Sequence, residues 1–154
     1  MFCIYKVAWV LQVKINSKMT SKVFCLANST TTHMILKYKK YFQNLILCKA
    51  NVNTISSSSN LIEGSGRAII MLPNCTKLCI DDALYSSKSR RNLLSFEDIR
   101  YNGYPIETNN EGNEEFLYTT IVSSQKLILE KLPIFTSGLY YTTMRIVETN
   151  VAIH

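Results

Sequence analysis

Apolar and polar positions alternate with a period of two along much of the chain, the spacing of strands that bury one face. Tyr5, Val7, Trp9, Leu11, Val13 and Ile15 alternate with Lys6, Ala8, Val10, Gln12 and Lys14, predicting a first strand. Asn16 to Lys22 reads as a polar turn, and Val23 to Ala27 as a short strand that runs into the polar loop Asn28-Ser29-Thr30-Thr31-Thr32-His33. Further on, Leu61-Ile62 leads through Glu63-Gly64-Ser65-Gly66-Arg67 to Ala68–Leu72. A turn at Pro73-Asn74 and a returning strand at Thr76–Tyr85 complete a predicted hairpin. Tyr104–Thr108, Phe116–Val122, Lys126–Leu132 and Gly138–Val147 supply four more extended runs. The first two flank a polar tip at Asn109–Glu115, where Gly112 is free to take a positive φ, and the last two are separated by Pro133–Ser137.

Helical signals are few. Tyr38, Tyr41, Phe42, Leu45 and Ile46 have the spacing of an apolar stripe, so Met34–Leu47 is expected to form a short helix whose lysines face water. Ser95 with Asp98 three residues later has the capping-box spacing, predicting a brief helix from Phe96 that ends near Gly103. Ser56–Asn60 is the one low-complexity run and reads as a loop. Many strands with short turns and little helical periodicity predict an all-β or β-rich domain, a barrel or a sandwich.

The chain has 154 residues, 47% of them hydrophobic, enough to bury one core. Seventeen Lys and Arg against eleven Asp and Glu give a net charge of +6, which allows attraction to polyanions. Basic residues interleave with aromatics at Lys37, Lys39 and Lys40, and Arg90-Arg91 forms a second basic cluster; solvated surface is the preferred reading of both, so nucleic acid is not an expected partner. Lys6 and Lys14 confine the first apolar stretch to Val7–Val13, short of the roughly 20 residues of a membrane span and without a signal-peptide pattern. Five cysteines in no framework spacing point to reduced thiols and an intracellular setting. Cys75, Cys79 and His33 make only three candidate ligands where a structural zinc site takes four, so no metal and no cofactor are expected.

Several ordered motifs add a family resemblance. From about Cys25 to Ile146 the sequence resembles the protease-like β-barrel region of copia-type retrotransposon Pol polyproteins of plants. That region carries a strand ending in Asp-Ser-Gly-Thr/Ala-Thr/Ser-His, a glycine-containing flap, a Leu-Pro-Asn-Gly-Thr turn, an Asn-Leu-Leu-Ser segment and a late Gly-Leu-Tyr. Here the matching residues are Asn28-Ser29-Thr30-Thr31-Thr32-His33, Gly64-Ser65-Gly66-Arg67-Ala68, Leu72-Pro73-Asn74-Cys75-Thr76, Asp82-Ala83-Leu84-Tyr85, Arg91-Asn92-Leu93-Leu94-Ser95-Phe96 and Gly138-Leu139-Tyr140. The match divides the chain into an N-terminal extension (1–22), the protease-like domain (23–147) and a tail (148–154).

The resemblance implies a retropepsin-like acid-protease β-barrel with one or two short helices. It also implies an aspartic endopeptidase working as a homodimer, each subunit giving one aspartate. Such chemistry needs two carboxylates sharing one proton, one to activate water and one to protonate the substrate. Asn28 stands where that aspartate belongs, and an amide does neither. Thr30 replaces the following glycine, adding a branched side chain where the backbone turns and the substrate comes close. Ser29 and Thr31 keep their types. Cys75 replaces the turn glycine at a position expected to need positive φ, and Asp81 and Asp82 read as a solvated strand end rather than a substitute. The zinc knuckle, integrase and polymerase regions of the family have no counterpart in this sequence, so it reads as one excised module. The expectation is an inactive protease-like domain; the alternatives are a module holding an extended peptide in the former cleft, framed by Gly64, Ser65, Gly66 and Arg67, or a weakly basic nucleic-acid-binding domain.

Overall fold

The computed structural model describes residues 22–54 and 57–147, and of 49–54 and 57–61 the course of the backbone alone. The strand expected at Tyr5–Ile15 lies outside the described residues.

Ten strands are described. They are β1 (Val23–Asn28), β2 (Ile35–Leu36), β3 (Phe42–Thr54), β4 (Ser57–Met71), β5 (Lys77–Tyr85), β6 (Asn92–Ser95), β7 (Ile106–Glu111), β8 (Glu114–Val122), β9 (Lys126–Thr136) and β10 (Leu139–Ile146). They form one mixed sheet in the order β3-β4-β5-β2-β6-β1-β10-β9-β8-β7. β10 pairs again with β4 through Arg145 opposite Met71 and Ile146 opposite Ile70, so the pairings from β4 through β5, β2, β6, β1 and β10 return to β4. The fold is β-rich, as the alternation predicts.

β1 sits in the middle of the sheet, parallel to β6 on one side and antiparallel to β10 on the other. A strand flanked on both sides and covered on both faces has to be apolar throughout, and Cys25, Leu26 and Ala27 are all buried. Leu36, Ile70, Leu72, Leu78, Leu94 and Ile99 close the core around it. Each such side chain contributes about 2 kcal/mol on full burial. The second strand pairing of like direction joins β2 to β5.

Helix content is small. Ser95 caps the helix α1 (Phe96–Tyr101), its hydroxyl accepting from the Glu97 amide at 3.2 Å, and Gly103 follows the helix at φ 88°. The reciprocal box predicted at Ser95 and Asp98 does not form: the Ser95 hydroxyl takes the Glu97 amide rather than that of Asp98, and the Asp98 carboxylate accepts the Met34 backbone amide. The helix expected over Met34–Leu47 is absent: a single 3-10 turn at Lys39–Tyr41 leads directly into β3. Its stripe does not bury one face, since Tyr41 is 2% exposed whereas Ile46 is 73% exposed. Pairing with β4 satisfies the backbone of this stretch, and a short apolar run whose spacing suits either element follows the sheet.

Three boundaries also move. Ser57–Asn60 belongs to β4 rather than to a loop. The tip between β7 and β8 narrows to Gly112-Asn113, with Gly112 at φ 66° as its glycine predicts. β9 runs through Pro133 to Thr136, because Pro133 falls where the strand's pairing passes from β8 to β10. Among the described residues no helix is long and apolar enough to cross a membrane.

Candidate functional site

The Asn28–His33 loop begins at the end of β1. Asn28 pairs with Ser95 of β6 and Leu139 of β10, so the two parallel strands end side by side at this loop. Its Oδ1 accepts the Thr31 amide at 2.9 Å, which folds the loop back on the strand end. Ser29 and Thr30 are exposed, and Thr32 Oγ1 lies 2.9 Å from His33 Nδ1. Among the described residues Cys75 is the non-glycine residue with a positive φ, so the backbone at Thr30 stays outside the left-handed region. The loop carries hydroxyls, an amide and an imidazole, but no carboxylate.

Behind the loop stands Asp98 of α1, a residue read from the sequence only as a cap. Burial pushes its carboxyl from 3.8 to about 6, against the pull of His33 and the Met34 amide, and its Oδ2 has no hydrogen-bond partner. Asp81 and Asp82 are exposed on β5, and Asp81 sits 3.8 Å from the Arg67 guanidinium. These carboxylates therefore occupy the solvent side of β5, as the sequence suggests.

Gly64, Ser65, Gly66 and Arg67 lie inside β4; the first three pair with both β3 and β5, and Arg67 with β3. The glycines serve close approach rather than a turn. A Cβ on Gly66 would lie 1.9 Å from the Asn44 carbonyl oxygen, where β3 bulges and Asn44 Oδ1 accepts the Arg67 amide at 2.9 Å.

The turn from β4 to β5 is built as its motif predicts. The Cys75 amide donates to Leu72 O at 3.0 Å and the Leu72 amide to Thr76 O at 2.8 Å, with Cys75 at φ 70° in the position a glycine fills most easily. Glu130 of β9, 2% exposed, holds this turn from below: its carboxylate accepts the Asn74 amide at 3.0 Å and the Thr76 amide at 3.2 Å. Burial raises the Glu130 carboxyl from its ordinary range, opposed by those bonds and by Arg145. The sequence signal for Glu130 was a lone acid inside the apolar run Leu127–Leu132, and the sequence reading passed over it. Cys25, Cys48, Cys75 and Cys79 are free thiols, and burial lifts Cys25 to about 12. Among the described residues no three potential metal ligands gather, so His33, Cys75 and Cys79 do not form such a group.

At the other end of β1 and β6 is an open cavity of about 420 Å³ lined by Lys22, Val23, Phe24, Lys37, Tyr38, Lys40, Arg90, Arg91 and Asn92. The two basic clusters of the sequence meet here across 50 residues of chain, apart from Lys39, whose ammonium lies over the Tyr85 ring at 5.8 Å. Lys22, Phe24 and Asn92 were not legible as part of it, because only the pairing of β1 with β6 brings them to the same place. Comparison of the chain with family models, curated proteins and solved structures finds no match.

Proposed function

We propose that the chain is a transposon-derived, catalytically inactive aspartic-protease-like domain of the copia type, with a retropepsin-like barrel. One observation carries the reading: the residue at the motif's catalytic position, Asn28, stands at the end of the central strand beside its parallel neighbour, and its side chain is spent on the Thr31 amide. The return of the strand pairings from β10 to β4 supports a barrel, and the positive φ of Cys75 supports an ancestral glycine in the turn. With Asn28 in each subunit, a homodimer of this chain lacks both members of the carboxylate dyad. The purified protein is expected not to cleave Gag-Pol-type peptides at acidic or neutral pH; pepstatin-sensitive cleavage overturns the reading. Asn28→Asp alone is expected to stay inactive, since Thr30 still places a branched side chain where the substrate approaches.

A second reading, a module that binds an extended peptide by strand addition, is favoured by β3. It stands at the end of the sheet order and exposes Ile46 and Leu47. Ile46→Lys is expected to abolish retention of extended peptides on immobilised protein; unchanged retention rejects strand addition at β3.

A further inference from the structure

We propose that the basic cavity at the start of β1 and β6 is a binding site for single-stranded nucleic acid. It lies at the opposite strand ends from Asn28, about 15 Å along β1, so it does not rest on the protease reading. Among the described residues five cations, Lys22, Lys37, Lys40, Arg90 and Arg91, line it, and no carboxylate does. Charge of one sign gathered around a cavity raises the local concentration of anions there.

The walls are held in place. Asn92, 1% exposed, accepts the Lys37 amide at 2.9 Å and donates to the Phe24 carbonyl at 3.1 Å, tying the two sides of the cavity together. The Arg91 guanidinium lies 5.1 Å from the Phe24 ring centroid and 5.8 Å from that of Phe135, which fixes the orientation of its planar fork. Phe24 in turn stacks on Tyr141 at 5.8 Å. Tyr38 is 43% exposed, with the Lys37 and Lys40 ammoniums 5.9 and 5.4 Å from its ring centroid, so a base that stacks on it meets both cations. Cations that follow phosphates, beside a ring and a guanidinium plane on which unpaired bases stack, are the chemistry of single-strand binding; a duplex hides the base faces this arrangement would use.

The test is fluorescence anisotropy of the full chain with a labelled oligothymidylate and with the corresponding duplex, over a range of salt. The single strand is expected to bind, more tightly than the duplex and more weakly as salt rises. Lys37→Gln with Arg90→Gln is expected to lower affinity about tenfold and to make the log–log salt slope shallower by about 1.4, the release expected for two phosphate contacts on a single strand. Lys77→Gln with Arg100→Gln removes the same charge from exposed positions outside the cavity and is expected to leave the slope unchanged. Tyr38→Leu, which keeps every cation, is expected to weaken binding with the slope intact. No binding, equal affinity for duplex, or equal loss in the two double variants overturns the proposal. Should the cavity double variant fail to melt cooperatively, an unaltered affinity in Tyr38→Leu overturns it as well.

Discussion

Replacing Asp98 by asparagine is expected to stabilise the protein at neutral pH and to leave it unchanged in acid. The Asp98 carboxyl is raised from 3.8 to about 6, chiefly by burial. A group whose folded value exceeds its unfolded value binds its proton more tightly in the folded state, so its contribution to stability falls as pH rises from about 4 to about 6 and is constant above that window. Glu130, also raised by burial, adds to the loss in the same direction. In a dry site the Asp98 displacement corresponds to about 3 kcal/mol. The group is only half-buried, and solvent screening reduces the figure to about 1 kcal/mol. Asparagine keeps an oxygen for the Met34 amide and loses the charge that burial penalises. Urea unfolding of both proteins at about pH 4 and about pH 7.5 separates the two states of the carboxyl. The expected result is coincidence in acid and a gain of about 1 kcal/mol for Asp98→Asn at the higher pH. A less stable variant at neutral pH would refute the reasoning, because it would mean that attraction to His33 outweighs the burial penalty.

Other substitutions probe the β3–β4–β5 arm. Gly66→Ala puts a Cβ where the Asn44 carbonyl oxygen stands and should destabilise by about 3 kcal/mol or more, read as a drop in melting temperature; an unchanged melt would show that the bulge yields freely. Cys75→Gly should raise stability by about 0.5 kcal/mol in urea unfolding, the left-handed strain relieved less the extra freedom of glycine in the unfolded chain. Glu130→Ala leaves the buried Thr76 amide and the Asn74 amide without their acceptor and should cost about 3 kcal/mol in the same assay.

How far the sequence foretold this structure depends on whether local pattern or distant pairing decided each element. The hairpin of β4 and β5, the short helix after Ser95 and the positive φ at Cys75 were legible because turn residues and caps act within a few positions. Met34–Leu47 was not, since its apolar spacing suits a helix and only pairing with β4 makes it a strand. The close approach at Gly66 was not legible either, because Asn44, which it must clear, is more than 20 residues away. Of the candidate site, the Asn28 loop was local and visible. The basic cavity was not, because Lys22, Lys37 and Arg91 converge only through the parallel pairing of β1 and β6.

That pairing also explains why the residue at position 28 does not decide the fold. The buried middle of β1 is Cys25, Leu26 and Ala27, and its partners in β6 are Asn92, Leu93 and Leu94, so the core contact is complete before the chain reaches Asn28. At the strand end, the Asn28 amide accepts the Thr31 N–H without a charge to desolvate. Position 28 can therefore change while Leu26, Leu94 and the walls of the cavity at the opposite end of the strand stay as they are.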